Sequence, residues 1–207
     1  MHEKIESNFR DGNAGDGNGR LKWRTAGRGD LIVDLAVGAT PTRFHDFLAE
    51  RFHVATLQVP EVGDSGVKQI ASSLGDLVAN TGHERCSVVV RGADLPLALQ
   101  VLKALPGVID ALVLLAPAPD QDERSLEALS AAGMPVLVLS GTNGTASPPE
   151  AGSRFRARIR NCHYVLVYDA GDTIEIDRPE ATASVIGDFL TRREHFIVAH
   201  ASGLIHP

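Results

Sequence analysis

The sequence predicts an α/β fold, a three-layer sandwich on a mostly parallel, doubly wound sheet. Three observations carry that prediction. Leu31 to Val37, Val54 to Val59, Ser87 to Val90, Ala111 to Leu115, Val136 to Leu139 and Val165 to Tyr168 are short runs rich in β-branched residues. Strands buried on both faces read this way. Between them lie stretches with apolar residues at helical spacing. The chain has 207 residues, 43% of them hydrophobic and 22% charged, enough apolar material for one domain with a layered core.

The elements follow in order. Residues 1–29 are polar and glycine-rich, with Asp11-Gly12-Asn13-Ala14-Gly15-Asp16-Gly17-Asn18-Gly19 as their centre. Such a segment buries too little apolar surface to offset its ordering entropy, so it is expected to be a tail with a short strand at Leu21 to Arg24. The domain proper is expected over residues 30–193. Its first strand, Leu31 to Val37, is interrupted by Asp34. Thr40-Pro41 then opens a helix carrying Phe44, Phe47 and Leu48 on one face. Ser65 to Asn80 places Val67, Ile70, Leu74, Leu77 and Val78 on one helical stripe. Helices are also expected over Pro96 to Leu105 and over Asp122 to Ala132, the latter ended by Gly133. Arg154 to Arg160 alternates with period two, yet Phe155 and Ile159 pair at i, i+4, and the segment reads as a helix. Pro179 to Arg193 closes the core as a helix burying Val185, Ile186, Phe189 and Leu190. Residues 194–207 form an apolar C-terminal tail.

Composition narrows the function. A formal net charge of -6 disfavours nucleic acid and anionic membrane surfaces as partners. Met1 to Arg24 lacks the apolar core of a signal peptide, and no apolar run approaches a bilayer span. The two cysteines, Cys86 and Cys162, sit beside apolar strand patterns and fit a reducing cytoplasm as buried thiols. The histidines show no chelating spacing, with His45 and His53 on different faces of a helix, so no metal site is expected and the histidines read as solvated. Gly38 precedes a helix but lacks both G-x-G-x-x-G and a P-loop lysine, so no nucleotide cofactor is expected.

The turn after the Ser87 to Val90 strand reads Val90-Arg91-Gly92-Ala93-Asp94. Around it, several segments resemble the α/β-hydrolase superfamily in the order that family uses. These are Val54 to Ser65, Pro106 to Pro117 with its "LVLLAP", Pro135 to Gly141 with "PVLVLSG", and Ala170-Gly171-Asp172 followed by Arg178-Pro179-Glu180 and Asp188-Phe189-Leu190. The resemblance covers Leu31 to Arg193, and the family's usual cap insertion is missing between "LLAPAP" and "PVLVLSG". It implies a nucleophile on a strained turn, then an acid and a histidine on later strand ends. In this sequence the nucleophile position falls on Gly92 by ungapped counting from Pro106. The acid falls on Gly144 and the histidine on Asp172. The oxyanion "HG" after the first core strand is replaced by Asp34-Leu35 or its neighbours. Every triad position therefore departs from the pattern.

These departures leave defined alternatives. Asp94, two residues beyond Gly92, is either a carboxylate nucleophile or an N-terminal helix residue favoured by the helix dipole. Arg91 either joins an acid/base site with Asp94 and Asp172, or plugs the site through an ion pair with Asp172 or Asp34. Asp34, Leu35, Arg91 and Ala93 are the candidate binding residues. The leading expectation is a non-catalytic binding or accessory protein. A hydrolase or lyase using Asp94 and Asp172 is the second, and a small-molecule sensor the third. Phe196, Ile197, Val198, Leu204 and Ile205 are expected either to engage a protein partner or second copy, or to fold back on their own domain.

Overall fold

The structure, a computed structural model, describes residues 9–13, 21–38, 40–59, 66–196 and 204–205. Its core is one sheet with the strand order β1-β2-β4-β3-β5-β6-β7-β8-β9. β3 (Leu31–Val37), β4 (His53–Val59), β5 (Cys86–Arg91), β6 (Ile109–Leu115), β7 (Val136–Gly141) and β8 (Cys162–Val167) are all parallel to their neighbours among these six. β1 (Arg10–Asn13), β2 (Lys22–Gly27) and the two-residue β9 (Leu204–Ile205) run antiparallel at the edges.

Successive strand residues point to opposite faces, so each apolar strand feeds two cores at once. Leu31, Val33 and Leu35 join Val88, Val90, Leu112 and Leu114 in one core. That core is covered by α2 (Gly66–Asn80), α3 (Leu95–Ala104), α4 (Glu123–Ala132) and α5 (Pro149–Arg158). Ile32, Val54, Val89, Val113 and Leu137 face the other way, beneath α1 (Arg43–Ala49) and α7 (Pro179–Arg192), with the single turn α6 (Ile174–Asp177) beside them. The helix caps follow local chemistry. Asp122 accepts the Ser125 N–H at the start of α4, and Gly133 ends that helix with φ 68°, in the left-handed region that favours glycine.

The expected strands and helices are present, with end points shifted by a few residues. Arg154 to Arg158 is helical, as the Phe155/Ile159 spacing predicts, and both side chains are buried. Three expectations are corrected. The polar N-terminal segment contributes a strand: β1 pairs with β2, held across by Arg24 and Asp11. β2 runs Lys22–Gly27, longer than expected, and buries Trp23 against β4. His45 is not solvated but fully buried. The tail splits. Phe196 folds back onto Phe189 and His163, with edge-on ring contacts of 5.6 and 5.4 Å, and is buried there. Leu204–Ile205 pairs with β8, while Ile197 and Val198 lie outside the described residues. Burial pushes the Cys86 thiol up to about 12, as it does that of Cys162, so both are unreactive.

At the amino ends of the strands, the His53 and His83 rings lie 5.4 Å apart. Burial, reinforced by the His83 charge, holds His53 below its ordinary value of 6.5. A histidine whose proton affinity is lowered by folding leaves stability intact above pH 6.5. Stability is lost as the pH falls through 6.5 toward the folded value, because the unfolded chain then binds the extra proton. Urea midpoints measured from pH 7.5 to 5 are expected to fall in this window and to fall less in His53→Gln. An identical slope in that variant would show that another group is responsible.

Candidate functional site

The carboxyl ends of β3 and β5 are where the chain changes direction. From β3 it passes through α1 to β4 on one side. From β5 it passes through α3 to β6 on the other. Such a switch point opens a crevice above the strand ends, and ligands of doubly wound folds bind there.

β5 ends at Arg91, followed by a 3-10 turn at Gly92–Asp94 and then α3. No residue from 91 to 95 has a positive φ. Arg91 is extended at φ -78° and Asp94 sits at φ -93°. The strained elbow that presents a hydrolase nucleophile is therefore relaxed here. Gly92 packs directly on the next loop. A Cβ there would strike Pro117 Cα and come within 2.6 Å of the Ala116 carbonyl oxygen. Position 92 thus has no room for a side chain unless that backbone shifts. The side chain at the end of β5 belongs to Asp94. It is half-buried. Burial raises its proton affinity above the usual carboxylate range, against the opposing pull of Arg91 and of the Val37 backbone.

Beneath Asp94 lies a buried polar chain. The Arg91 Nε–H donates to Glu175 Oε1 at 2.9 Å, and its Nη1 reaches Asp34 Oδ1 at 3.5 Å. The side chains of Asp34 and Glu175 are each only 3% exposed. Burial disfavours the Arg91 cation, but Asp34, Glu175 and Asp94 outweigh this and hold its proton affinity above the ordinary arginine value. His45 Nε2 stands 2.9 Å from Asp34 Oδ2, and the Thr42 backbone N–H donates to His45 Nδ1 at 3.0 Å. Because Nδ1 accepts, the proton sits on Nε2 and is given to Asp34, which makes the imidazole neutral. The Thr42 hydroxyl also touches Nδ1, at 3.0 Å. This is a helix cap in which His45 takes the place usually held by Glu or Gln three residues into the helix.

The structure therefore joins Asp34, Arg91 and Asp94, and adds His45 and Glu175, which sequence reasoning missed. An Arg91–Asp34 pair is present, and the Arg91–Asp172 alternative is corrected to Arg91–Glu175. Asp34 and Leu35 lie inside β3 and are buried, and the strand runs on to Val37. The Gly38 N–H that follows the strand is spent on Val59 O at 3.0 Å. Ala93 is exposed on the turn.

Asp172 does something different. Its carboxylate accepts the backbone N–H groups of Thr145, Ala146 and Ser147 and the Thr145 hydroxyl, at 3.0 to 3.2 Å. The Ala146 and Ser147 N–H groups are the main reason its proton affinity lies below the usual carboxylate range. Gly144 adjoins it, since a Cβ at 144 would lie 3.0 Å from Asp172 Oδ1. The two positions meet, as the family order implies, but both carboxylate oxygens are committed to a loop tie. Asp172 and Asp94 share no hydrogen bond among the described residues. Asp172→Ala is expected to cost about 1 kcal/mol, the order of a lost helix cap. The contribution is present above pH 4 and lost as the pH falls through the lowered folded value, so a wild-type minus variant stability difference that does not shrink as the pH is lowered below 4 would contradict the assignment.

Among the described residues, no group of three or more His, Cys, Asp or Glu side chains is placed to hold a metal ion. Nor is any helix among them long and apolar enough to cross a membrane.

The strand order and the crossover pattern define an α/β-hydrolase fold. No family model and no curated protein matches the sequence. Solved structures do match. A thermophilic esterase from Thermogutta terrifontis superposes with a TM-score of 0.72 at 14% identity, over 92% of this chain and 100% of that one. Naproxen esterase from Bacillus subtilis gives 0.70 at 12% identity, over 88% and 91%. MGS-MChE2, an α/β hydrolase enzyme from a lagoon-sediment metagenome, gives 0.69 at 16%, over 88% and 99%. The chain has the fold of these proteins.

Proposed function

We propose that this chain is a capless pseudo-hydrolase, a protein that keeps the hydrolase frame for binding and performs no acyl transfer. One observation carries the reading. The turn Arg91-Gly92-Ala93-Asp94-Leu95 offers no hydroxyl or thiol at the end of β5, and the one imidazole in the buried chain below has both ring nitrogens engaged. Covalent acyl transfer needs an activated oxygen or sulfur nucleophile with a base in reach. Support for a capless form comes from the connection between Leu115 and Val136, which holds only α4 and its flanking turns. An accessory role with a protein partner or a second copy remains part of the reading. Phe196 is buried and is not offered to a partner, so the contact would fall on the strand edge at β9.

The test is turnover of a panel of p-nitrophenyl esters by purified protein. Rates at the level of buffer are expected. Robust turnover that disappears in Asp94→Ala would overturn the reading. It would favour the alternative, a hydrolase or lyase with a carboxylate at its centre, for which the half-buried Asp94 beside Arg91 is the motivating feature.

A further inference from the structure

A second cavity opens on the face of the sheet that α1 and α7 cover, and it shares no lining residue with the Arg91 chain. It measures about 480 Å³, within the range of small-molecule sites. Arg43 and Phe47 line it from α1, Glu180 and Ser184 from α7, and Asp177 and Arg178 from the junction of α6 and α7. Its charges balance in number, two arginines against two acids, but only one of each sign is unspent. The Asp177 carboxylate accepts the Gly171 backbone N–H at 2.8 Å and the Thr173 hydroxyl at 3.4 Å. Arg178 Nη1 donates to the Tyr168 backbone oxygen at 3.1 Å and stands 3.8 Å from Asp169 Oδ2. The side chains of Arg43 and Glu180 make no hydrogen bond or ion pair among the described residues, with each other or with any other group. Arg43 is nonetheless held in place. Phe47 follows it by four residues on the same helix, and the guanidinium carbon lies over the Phe47 ring, 5.8 Å from its centroid. Phe47, Pro179 and Ala181 supply the apolar surface of the cavity.

We propose that this cavity binds a free α-amino acid with an apolar side chain, its carboxylate on Arg43, its ammonium on Glu180 and its side chain against Phe47, Pro179 and Ala181. The forked donors of a guanidinium match a carboxylate, and an ammonium brings three donors, enough for Glu180 and the Ser184 hydroxyl together. A plain anion meets repulsion from Glu180, and a plain cation meets repulsion from Arg43. A ligand carrying both signs satisfies both helices at once. This site is separate from the crevice at the end of β5 and stands whether or not that crevice is catalytic.

The full chain, labelled with nitrogen-15, is titrated at pH 7 and low ionic strength with L-leucine, with 4-methylpentanoate, which lacks the ammonium, and with 3-methylbutylamine, which lacks the carboxylate. Saturable shifts of the Phe47, Glu180, Ala181 and Ser184 amides are expected with L-leucine. Its affinity should exceed that of each analogue at least about tenfold, the order expected when one charge-assisted contact is lost. Arg43→Gln should bind L-leucine no better than 3-methylbutylamine, and Glu180→Gln no better than 4-methylpentanoate. Both side chains are exposed, so both variants should melt at the wild-type temperature. Absence of saturable shifts at these amides, a preference smaller than tenfold, or a wild-type ranking kept in either variant overturns the proposal. The ester assay and this titration fail separately, since turnover at the end of β5 leaves the ranking of the three probes unchanged.

Discussion

Arg91→Met is expected to destabilise the protein by about 3 kcal/mol at neutral pH. Removing one partner of a buried ion pair generally costs about 3–5 kcal/mol, because the remaining charge is left without compensation. Two carboxylates are stranded here, Asp34 and Glu175, each with a side chain only 3% exposed. The lower end applies because the arginine itself is 34% exposed, which lets water screen the pair. The triple variant Arg91→Met/Asp34→Asn/Glu175→Gln should recover much of the loss, since neutral partners leave no charge unpaired. Urea unfolding at neutral pH checks both statements. A midpoint for Arg91→Met equal to wild type would show that the buried chain is not held by its charges.

Gly92→Ser is expected to lower stability by about 1–3 kcal/mol and to create no esterase. The added Cβ meets backbone at Pro117 and at the Ala116 carbonyl, neither of which can rotate away, so the loop after β6 must shift. That loop is already constrained, with Ala116 at φ 46°. Asp94→Ser is expected to stay within about 1 kcal/mol of wild type, because the side chain is only half-buried and its removal relieves negative charge beside Asp34. Thermal melts of the two variants decide which position holds the side chain at the strand end. A tolerated Gly92→Ser together with a collapsed Asp94→Ser would return the nucleophile position to 92.

Most of the architecture was legible because buried parallel strands and amphipathic helices leave strong local patterns. Val88-Val89-Val90 and Leu112-Val113-Leu114 fill both faces of the sheet and have few other destinations. β1 was not legible, because Arg10–Asn13 contains no apolar residue and forms a strand only by completing a hairpin with β2. The candidate site was half-legible. Asp34 interrupting an apolar strand implied a buried partner, and Arg91 was one of the partners expected. The spacing of Thr42 and His45 carried a cap signal that went unread, because histidine is an uncommon reader of the helix-start N–H. Glu175 carried no signal, since nothing local distinguishes it from the exposed acid Asp177 on the same turn.

By itself the sequence determined the layered α/β frame, the order of its parts and the absence of a serine or cysteine at the turn after β5. Those properties follow from periodicity and residue identity, which are local. Which acid pairs with Arg91, where Asp172 spends its charge and whether position 92 can hold a side chain depended on the tertiary structure. These are questions of distance between segments far apart in the chain. Arg91 and Glu175 are separated by 84 residues and meet only because α6 folds back beside the end of β5.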